Sequence, residues 1–568
     1  MCLKEVVRNE ILDKVLKPLN FDPKHGRKFF ILIVDSLAMK ILSSCFKMDE
    51  IFAEGITVVE DLSKRREPMP IIDAIYIMAP IRQSVEDLIN DFTPKSKRLR
   101  SLYRSANVFF LDPCPKDVFE LLGKSVVLKY LKTLKEINLS FIPFERQIFQ
   151  IEAKDDDIID SISSGISSFC ARMGVYPSLS YHSDFGQSAE ICYRVEQKLD
   201  ELMKYEVELG IESDAQLIIV DRSFDLLSPL MHEMTLQAMA TDILDFEDGV
   251  YKFQTESGNK ETLLDESDEN WVEMRHEHIA DVIRKVTDRV KETTKAAKTM
   301  GEGSSSMSIS RMGDTLRRLP AHQKKVERIS TYMKLAEECM QKYQSGLNEV
   351  CLLEQDMATG YCVDGSPIKD ANIMRRLSAL ILPSIPTETR LRLILIYLLA
   401  FPGKSEEYFE RLLELTDITE SQYDGVFELF KWRKKSRFQI PQKPRSTYDE
   451  SLPTSRWRPR MEDLMKDVIE AKLDETMFKY MGKRPTVVKE KEKPKSARFG
   501  SSSERKSSKL EEKRKIFFFV LGGMTYSEIR AAYNLTNTSD CAIYIGSDRI
   551  LTPSRYLAHL RRLANANN

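Results

Sequence analysis

The chain has 568 residues, of which 42% are hydrophobic and 30% are charged, and its formal net charge is -2. At about 150 residues per domain, this length predicts several domains with sizeable cores. The balanced charge excludes nucleic-acid binding through bulk charge, and it excludes an acidic disordered protein. Any partner must therefore be recognised through local surfaces.

The first residues, MCLKEVVRNEILDKVLK, place apolar and charged side chains at helical spacing and lack the apolar core of a signal peptide. The most apolar run, LRLILIYLLAF at 391–401, is too short to cross about 30 Å of hydrocarbon. The nine cysteines form neither a CxxC pair nor a cluster, which is typical of a reduced cytosolic chain. We therefore expect no transmembrane segment and no disulfide.

Three apolar runs rich in β-forming residues each end in an aspartate, at Asp35, Asp112 and Asp221. Further buried strands are predicted at AIYIMAP near Ala74 and at IFFFVLGG near Phe518. Helical patterns such as LAMKILSSCF and VEDLINDF separate the first strands, and this alternation is typical of parallel α/β layers. Residues 1–245 are thus predicted to form two α/β units.

The run LIIVDRSFDLLSPLMHEMTLQAMATDIL places Asp221, Arg222 and Asp225 at the exit of a buried strand. Ligands often bind at this point of an open α/β sheet, yet an Asp-Arg-Asp turn can equally be a self-satisfied ion pair. Ser228 and Pro229 are expected to begin the next helix. Because no catalytic partner is visible elsewhere, our hypothesis is a structural brace that fixes the placement of domains.

From about Val250 to Met481 the pattern changes to long helices with few strand candidates. The small, polar segment around Pro320 predicts an exposed loop or a bent helical hairpin. After it, apolar residues spaced by fours and threes indicate either a coiled-coil seam or an ordinary bundle helix with an apolar stripe. The residues of this seam are Ile329, Met333, Ala336, Met340, Tyr343, Leu347 and Val350.

A segment at about 483–514 is rich in lysine, serine and proline and is predicted to be a disordered loop. A strand, KIFFFVLGG, a helix, MTYSEIRAAYNL, and the run AIYIGSDRILTP follow it. Because a βαβ remnant of about 70 residues would have little core of its own, we expect it to complete the sheet of an earlier α/β unit. The helical middle is then an insertion.

Signatures of catalytic, metal or cofactor sites are not found. Gly522 and Gly523 lack the lysine of a phosphate-binding loop and are interpreted as a tight turn rather than an anion site. His232, in HEMTL, has half of a zinc-protease motif and is interpreted as part of a buried or hydrogen-bonded helix face. His276 and His278 lack a third ligand, and alternate residues of a helix do not share a face. We expect no catalytic residue, no metal and no cofactor.

The segment from Asp35 to Glu67 carries many charges of both signs around short elements. Mixed charge suits a protein partner with patterned charge better than a uniformly anionic phosphate backbone. The alternative is an ordinary solvated face. Its charged residues include Lys40, Lys47, Glu60, Asp61, Lys64, Arg65, Arg66 and Glu67.

Several blocks extend this signal over nearly the whole chain: SSCFKMDEIFAEGITVVEDLSKRREPMP, VDRSFDLLSPLMHEMTLQAM, RHEHIA, LAEECM, and FVLGGMTYSEIRAAY with IGSDRILTP. In these blocks the chain resembles the SM (Sec/Munc) family of syntaxin-binding regulators of vesicle fusion, and in particular its animal exocytic Munc/UNC type. The resemblance implies an α/β plus α fold, a three-domain arch with two α/β parallel-sheet domains and a large, mainly helical inserted domain.

The implied domain boundaries agree with the predicted insertion. Residues 1–145 would form the first α/β domain, which binds syntaxin. Residues 146–248 and 482–568 would form the second, and residues 249–481 the helical third domain, with a hairpin at about 309–353. A closed syntaxin would lie in the cavity between the first and third domains.

Matched positions place the contact with closed syntaxin at Asp35, Lys40, Lys47, Glu60 and Lys64. Relatives commonly have arginine where this chain has Lys40, and lysine lacks arginine's planar bidentate fork. An outer pocket would take the syntaxin N-terminal peptide, because an apolar pocket with an acidic rim suits a short peptide that carries arginine. It maps to Phe119, Leu131, Leu134 and Glu136.

The resemblance also implies that the hairpin around Pro320 extends and templates the assembly of SNARE helices, with Met333 contacting the vesicle SNARE. SNAREs are heptad helices that need an apolar partner stripe, and a proline at the bend can favour one hairpin state over another. Pro320 is therefore expected to restrain the hairpin.

The implied function is a non-enzymatic regulator and chaperone of SNARE complex assembly in vesicle docking, fusion and exocytosis. The protein would be cytoplasmic and peripherally associated, through syntaxin, with the plasma membrane and secretory or synaptic vesicles. Its partners would be a syntaxin-type SNARE, the vesicle SNARE and the assembling SNARE bundle, without nucleic acid. Two alternatives stay open: a phosphotransfer or hydrolytic enzyme that uses the Asp221 turn, and a membrane tether that acts through the Lys-rich loop near Lys493.

Overall fold

A computed structural model divides the chain into two compact units. Unit 1 comprises Met1–Arg222, Leu464–Met524 and Ala532–Ile550, and unit 2 comprises Ser223–Asp463, Thr525–Ala531 and Leu551–Asn568. The structure describes residues 2–22, 26–93, 101–153, 157–205, 214–247, 249–255, 258–301, 309–382, 384–414, 427–434, 452–482 and 513–567. The predicted loop at 483–514 thus lies outside the described residues except for its last two.

The helices, in chain order, are α1 (Leu3–Ile11), α2 (Lys17–Asn20), α3 (Ser36–Cys45), α4 (Met48–Ala53), α5 (Arg82–Phe92), α6 (Lys116–Gly123), α7 (Ile158–Arg172), α8 (Gly186–Tyr205), α9 (Leu236–Ile243), α10 (Glu269–Met274), α11 (Ile279–Gly301), α12 (Ile309–Lys342), α13 (Asn348–Thr359), α14 (Asp370–Leu380), α15 (Thr387–Ala400), α16 (Glu406–Glu414), α17 (Arg460–Ile469), α18 (Tyr526–Thr538) and α19 (Pro553–Asn567).

The strands are β1 (Phe21–Asp22), β2 (Gly26–Arg27), β3 (Phe30–Val34), β4 (Ile56–Asp61), β5 (Asp73–Met78), β6 (Ala106–Phe110), β7 (Leu131–Glu136), β8 (Ile142–Glu145), β9 (Ile148–Gln150), β10 (Ser178–His182), β11 (Gln216–Asp221), β12 (Phe246–Glu247), β13 (Val250–Thr255), β14 (Gly258–Leu263), β15 (Phe478–Met481), β16 (Arg514–Leu521), β17 (Met524–Thr525), β18 (Cys541–Ser547) and β19 (Ile550–Leu551).

Unit 1 contains a five-stranded parallel sheet in the order β4-β3-β5-β6-β7. Its inner strands are continuous apolar runs, and every residue of β3, β5 and β6 is buried. Strands buried on both faces are typical of parallel sheets covered by helices. The strands predicted to end near Asp35 and Asp112, and the one near Ala74, are therefore confirmed.

A second, seven-stranded sheet of unit 1 has the order β15-β10-β11-β16-β18-β9-β8. Strands β10, β11, β16, β18 and β9 are parallel, and β15 and β8 add antiparallel edges. The predicted strand KIFFFVLGG lies at the centre, where Leu217 faces Phe517 and Val220 faces Val520. It completes an earlier sheet, as the sequence indicated, whereas the domain boundaries themselves stay predictions.

Unit 2 is mainly helical and has two separate hydrophobic clusters. Helix α15 is buried on nearly all sides between Arg390 and Leu399, as expected for an apolar run that fills a core rather than a membrane. An antiparallel sheet of β12, β13 and β14 was missed in the sequence, because β14 is exposed and charged. Within the described part of the chain, no helix is both long and apolar enough to span a membrane.

The heptad-like seam does not run as one unbroken stripe. In α12 the buried positions include Ile329, Tyr332, Ala336 and Cys339, whereas Met333 is 45% exposed. A widened turn at Tyr343–Leu347 follows, in which Gly346 has a positive φ of 114°. Glycine adopts this conformation readily, and the non-helical backbone at this turn interrupts the apolar stripe. The described residues therefore favour a bundle helix over a coiled-coil seam.

The helix expected at Ser228 and Pro229 is wrong, since the next helix, α9, begins at Leu236. The Ser228 hydroxyl donates to the Asp225 carboxylate at 2.6 Å instead of capping a helix. Leu227 and Leu230 are fully buried in a cluster of unit 2. Burial of these leucines in an irregular segment outweighs the local helix-start signal.

Candidate functional site

The five residues predicted to contact closed syntaxin, here called the charged face, belong to the β3–α3–α4–β4 segment of the first sheet. Strand β4 is an edge strand, paired in parallel with β3 so that Val34 faces Asp61. Asp35, Glu60 and Lys64 therefore lie at the same carboxyl edge of the sheet. Lys40 is half-way along α3. Lys47 follows the carboxyl end of this helix, roughly 15 Å along the helix axis from its amino end at the sheet edge.

Asp35 is tied into the fold. Its Oδ1 accepts a hydrogen bond from the N–H of Ala38 at 2.9 Å and caps α3, and its Oδ2 accepts from the N–H of Ala79 at 2.6 Å. A carboxylate at a helix N-terminus is favoured by the orphan N–H groups there. Asp35 thus orients α3, the helix that carries Lys40.

Glu60 also has an internal partner, because its Oε2 accepts a hydrogen bond from the Tyr103 hydroxyl at 2.9 Å. Burial, together with this bond to Glu60, raises the pKa of Tyr103 and keeps its hydroxyl a donor. Arg66 was expected on the charged surface, but its side chain is buried in a bidentate ion pair with Asp91 at 2.6 and 2.7 Å. Arg66 is therefore not available to a partner.

The three lysines of the charged face are exposed and weakly held. Lys64 has a side chain 78% exposed and lies 3.8 Å from the carboxylate of Asp61, whose pKa is lowered by hydrogen bonds from Ser63. Lys40 pairs with Glu152 on the surface. The Lys47 ammonium makes no ion pair with a described residue, so these cations can meet an acidic partner.

At the opposite edge of the same sheet, apolar side chains of α6 and of the turn at Val126–Lys129 are exposed. Phe119 is 55% exposed and Leu128 51% exposed, with Val126 between them in sequence at 37%. We call these three residues, with Leu131, Leu134 and Glu136, the apolar patch. The sequence interpretation missed Val126 and Leu128, although the run VVLKYL was a usable signal.

Strand β7 supplies the rest of the apolar patch. A register shift after Leu131 inserts an extra residue, so Leu131 and Leu134 both pack against the hydrophobic cluster of this sheet although three positions separate them. Glu136 is exposed, and its Oε1 accepts from the N–H of Cys114 at 2.8 Å. An apolar surface with a fixed acidic group results.

The two residues assigned to the hairpin both belong to α12. Met333 is 45% exposed on the side away from the buried face of the helix. Pro320 lies within the backbone range of α12, but its side chain lies outside the described residues, as does the segment 302–308.

In the Asp221 turn, Asp221 and Arg222 belong to unit 1 and Asp225 belongs to unit 2. Asp221 ends β11 opposite Leu521, and the buried Arg222 donates from Nη1 to the carbonyl of Gly523 at 3.0 Å within unit 1. Gly522 and Gly523 have φ values of 93° and 113°, and the Gly522 N–H donates to Asp548 Oδ1 at 2.7 Å. These two glycines form a tight turn whose N–H already has an anionic acceptor.

Asp225 is fully buried in unit 2 and organises the irregular segment after β11. Its carboxylate accepts from the N–H groups of Leu227 and Ser228, from the Ser228 hydroxyl and from the N–H of Arg460 at 2.8 Å. The Arg460 guanidinium in turn lies 4.5 Å from the centre of the Phe224 ring. All of these hydrogen bonds to the Asp225 carboxylate come from within the fold, as expected for a structural brace. A role in placing domains stays a prediction.

The model of one family matches residues 30–559 of this chain, and its description is the Sec1 family. The chain belongs to the Sec1 family. It is 31% identical over 602 residues to protein transport protein sec1 of Dictyostelium discoideum, with 99% of each chain covered. It is 26% identical to protein transport Sec1a of Arabidopsis thaliana, covering 99% of this chain and 94% of the relative.

Among solved structures, this Sec1 family protein is similar to the crystal structure of the Unc18–syntaxin 1 complex from Monosiga brevicollis. The TM-score is 0.82 at 27% identity, and the match covers 99% of this chain and 100% of that chain. The resemblance to the SM family and the α/β plus α fold class are therefore confirmed. The animal exocytic subtype stays a prediction.

His232 is buried but not on a helix. Its ring Nδ1 is 2.8 Å from Glu354 Oε1, and its backbone N–H donates to Oε2 of the same carboxylate at 3.1 Å. Near it, Arg392 forms a bidentate pair with Asp242 at 2.9 and 3.0 Å. In this Sec1 family protein, His232 thus belongs to a buried polar network that holds unit 2 together.

Proposed function

We propose that this Sec1 family protein binds a syntaxin-type SNARE and regulates the assembly of SNARE complexes in vesicle docking, fusion and exocytosis. The observation that carries the proposal is the full-length match to Unc18, whose structure was solved in complex with syntaxin 1. The exposed lysines of the charged face supply a surface for an acidic partner.

In this proposal the charged face contacts the closed form of syntaxin. Lys40, Lys47 and Lys64 steer and hold the acidic partner, whereas Asp35 and Glu60 also keep α3 and Tyr103 in place through their internal bonds. Lys40 can leave Glu152 at small cost, since exposed ion pairs contribute about 1 kcal/mol or less.

The apolar patch is proposed to take the N-terminal peptide of syntaxin. Exposed Phe119 and Leu128 would cover an apolar side chain of the peptide, and Glu136 would accept an arginine of the peptide. Replacing Phe119 by alanine is expected to weaken the peptide-dependent part of binding about tenfold, measured by calorimetry with syntaxin fragments that keep or lack the peptide.

We propose further that α12 templates SNARE helices. The exposed Met333 would contact the vesicle SNARE, and Pro320 would restrain extension of the hairpin. Pro320→Ala is then expected to speed the assembly of a fluorescently labelled SNARE bundle. An unchanged rate contradicts the role of Pro320, and an unchanged rate for Met333→Asp contradicts the contact of Met333.

The protein is proposed to act by binding, not by catalysis, at the plasma membrane and on secretory or synaptic vesicles. Support comes from Asp225, whose carboxylate is occupied by four hydrogen bonds. Recruitment would depend on syntaxin, so removal of the syntaxin from cells should release the protein from the membrane fraction.

The deciding experiment is a calorimetric titration of the purified full chain against a panel of syntaxin-type SNAREs, each with and without its N-terminal peptide. At least one is expected to bind in a one-to-one complex. Absence of binding to every member of the panel refutes the proposed function. Loss of binding only with the peptide-deleted fragments would assign binding to the apolar patch rather than the charged face.

A further inference from the structure

A cavity of about 210 Å³ lies inside unit 2, lined by blocks that the SNARE-binding proposal does not use. SPLMHEMT, RHEHI and TYSEIR contribute to its wall, together with SRWRP at 455–459. The two histidines of RHEHI were expected on a helix, where they could not share a face. They lie instead in the turn between α10 and α11, so both His276 and His278 line the cavity.

Arg530 is the main charged group of the cavity wall. Its Nε donates to Glu233 Oε1 at 2.6 Å, and its side chain is only 19% exposed. Neither terminal nitrogen of this guanidinium bonds to a described residue. A held guanidinium with free terminal N–H groups is a pre-organised fork for an oxyanion.

Two further donors accompany Arg530. The indole Nε1 of Trp457 is buried and has no hydrogen-bond partner among the described residues, although a buried donor without a partner costs about 1–3 kcal/mol. The Ser455 hydroxyl, which also lines the cavity, bonds to no described residue either. A ligand that accepts these hydrogen bonds would remove the cost of the unpaired indole.

The electrostatic environment favours a negative ligand. Burial, followed by the charges of Arg275 and Arg530, holds the pKa of His276 well below its usual range. The two arginines that act on this ring also place positive charge near the cavity. Arg458 is a second cation of the wall and donates to Glu462 at 2.9 Å. Glu233 is the one carboxylate among the described lining residues, and it is paired with Arg530.

We propose that this cavity binds the phosphate group of a small phosphorylated molecule. The terminal oxygens of a phosphate monoester are hydrogen-bond acceptors, and the Arg530 fork, the Trp457 indole and the Ser455 hydroxyl are donors that line the same cavity. The volume exceeds the ~15 Å³ needed by one water more than tenfold, so a few carbon atoms fit beside the phosphate. Apolar wall residues are available for them: Met231, Met234 and Leu452.

The phosphate group can belong to a soluble metabolite or to a lipid headgroup, and three probes separate these sources. The full chain is titrated with inorganic phosphate, with glycerol 3-phosphate, and with phosphatidylcholine vesicles that contain or lack phosphatidylinositol 4-phosphate. Thermal stabilisation or calorimetric binding by glycerol 3-phosphate indicates a soluble ligand, and binding only to the phosphoinositide vesicles indicates a headgroup. A response to none of the probes overturns the proposal.

Two substitutions test the assigned residues. Arg530→Lys keeps the charge beside Glu233 but removes the fork, and it is expected to weaken phosphate binding about tenfold. Trp457→Phe keeps the ring and removes the N–H; it should weaken binding severalfold while the ligand-free protein stays as stable or becomes more stable.

The matched control is Arg284→Gln, which removes an exposed arginine of the same unit and should leave phosphate binding unchanged. Equal binding by the wild type and by both cavity variants overturns the proposal. The result is independent of the proposed function, because syntaxin binding is measured separately on the same variants and is expected to be unaffected.

Discussion

The two strand exits that carry the conspicuous charges, after β3 and after β11, share a sequence pattern and differ in structure. Both are buried parallel strands followed by aspartate and further charged residues. After β11, the Asp225 carboxylate is enclosed and accepts four hydrogen bonds. After β3, only Asp35 is engaged in this way, and the lysines beyond it reach solvent. The supply of internal hydrogen-bond partners, rather than the charge itself, separates a brace from a binding surface.

The largest effect is expected for Asp225→Ala, which leaves the N–H groups of Leu227, Ser228 and Arg460 without their acceptor in a buried site. The free energy of unfolding should fall by about 3 kcal/mol or more, measured by urea denaturation. Asp288→Ala, which removes an exposed carboxylate of the same unit, should change it by less than about 0.5 kcal/mol. Similar small losses for both variants would show that Asp225 does not brace the segment after β11.

Asp73, at the amino end of β5, offers a third charged cluster and a pH test. Burial raises the pKa of this carboxyl, but hydrogen bonds from Arg104, Ser105 and Lys132 outweigh it and hold the pKa well below its usual range. The stabilisation is therefore present above the unfolded pKa of about 4 and is lost as the pH falls below it.

Asp73→Asn should thus cost about 2 kcal/mol at pH 7, and the difference from wild type should shrink below pH 4. Thermal denaturation at several pH values measures it. A difference that is constant across this range would show that the ionised form of Asp73 is not the stabilising species.

The charged face itself is tested by reversing three charges together, Lys40→Glu, Lys47→Glu and Lys64→Glu. Binding to closed syntaxin should weaken about tenfold, and the residual binding should depend less on salt, because the attraction removed is electrostatic. A matched triple reversal at the exposed lysines Lys14, Lys17 and Lys204 of the same unit makes the same change in net charge. Equal losses for the two triples would reject the mapped surface.

The smallest effect is expected for Lys40→Ala alone. Its ion pair with Glu152 lies at the surface, with the Lys40 side chain 54% and the Glu152 side chain 35% exposed, so the free energy of unfolding should change by less than about 0.5 kcal/mol. A loss above 1 kcal/mol in urea denaturation would show that this lysine braces the fold, as Asp225 does.

The sequence predicted the buried inner strands β3, β5, β6, β11 and β16 correctly, since continuous apolar runs such as FFILIVD and IFFFV have few alternatives to a buried parallel strand. The edge strands of both sheets were not predicted. The sequence also indicated that KIFFFVLGG completes the sheet of an earlier α/β unit, because an orphan strand needs a partner; its pairing with LIIVD is seen only in the structure. These successes rest on local composition and on the need to cover apolar surface.

The failures arose where tertiary packing decided. Ser228 and Pro229 have the chemistry of a helix start, yet Asp225 binds the serine and the neighbouring leucines are drawn into the core. Arg66 looked like a surface charge until Asp91, 25 residues away, was seen to bind it. The positions of the charged face and the apolar patch came from resemblance. The run VVLKYL indicated an apolar segment after α6, but only the structure shows that Val126 and Leu128 are exposed, as Phe119 is.

The central position of β16 has a consequence for synthesis. The Arg222–Gly523 hydrogen bond joins residues 301 apart in sequence, and translation at about 5–20 residues per second separates their emergence by roughly 15 to 60 seconds. During this time β11 has an open apolar edge, which is a template for wrong pairing. The nascent protein is therefore exposed to wrong strand pairing for a long interval. Premature termination before β16 leaves the seven-stranded sheet without its central strand.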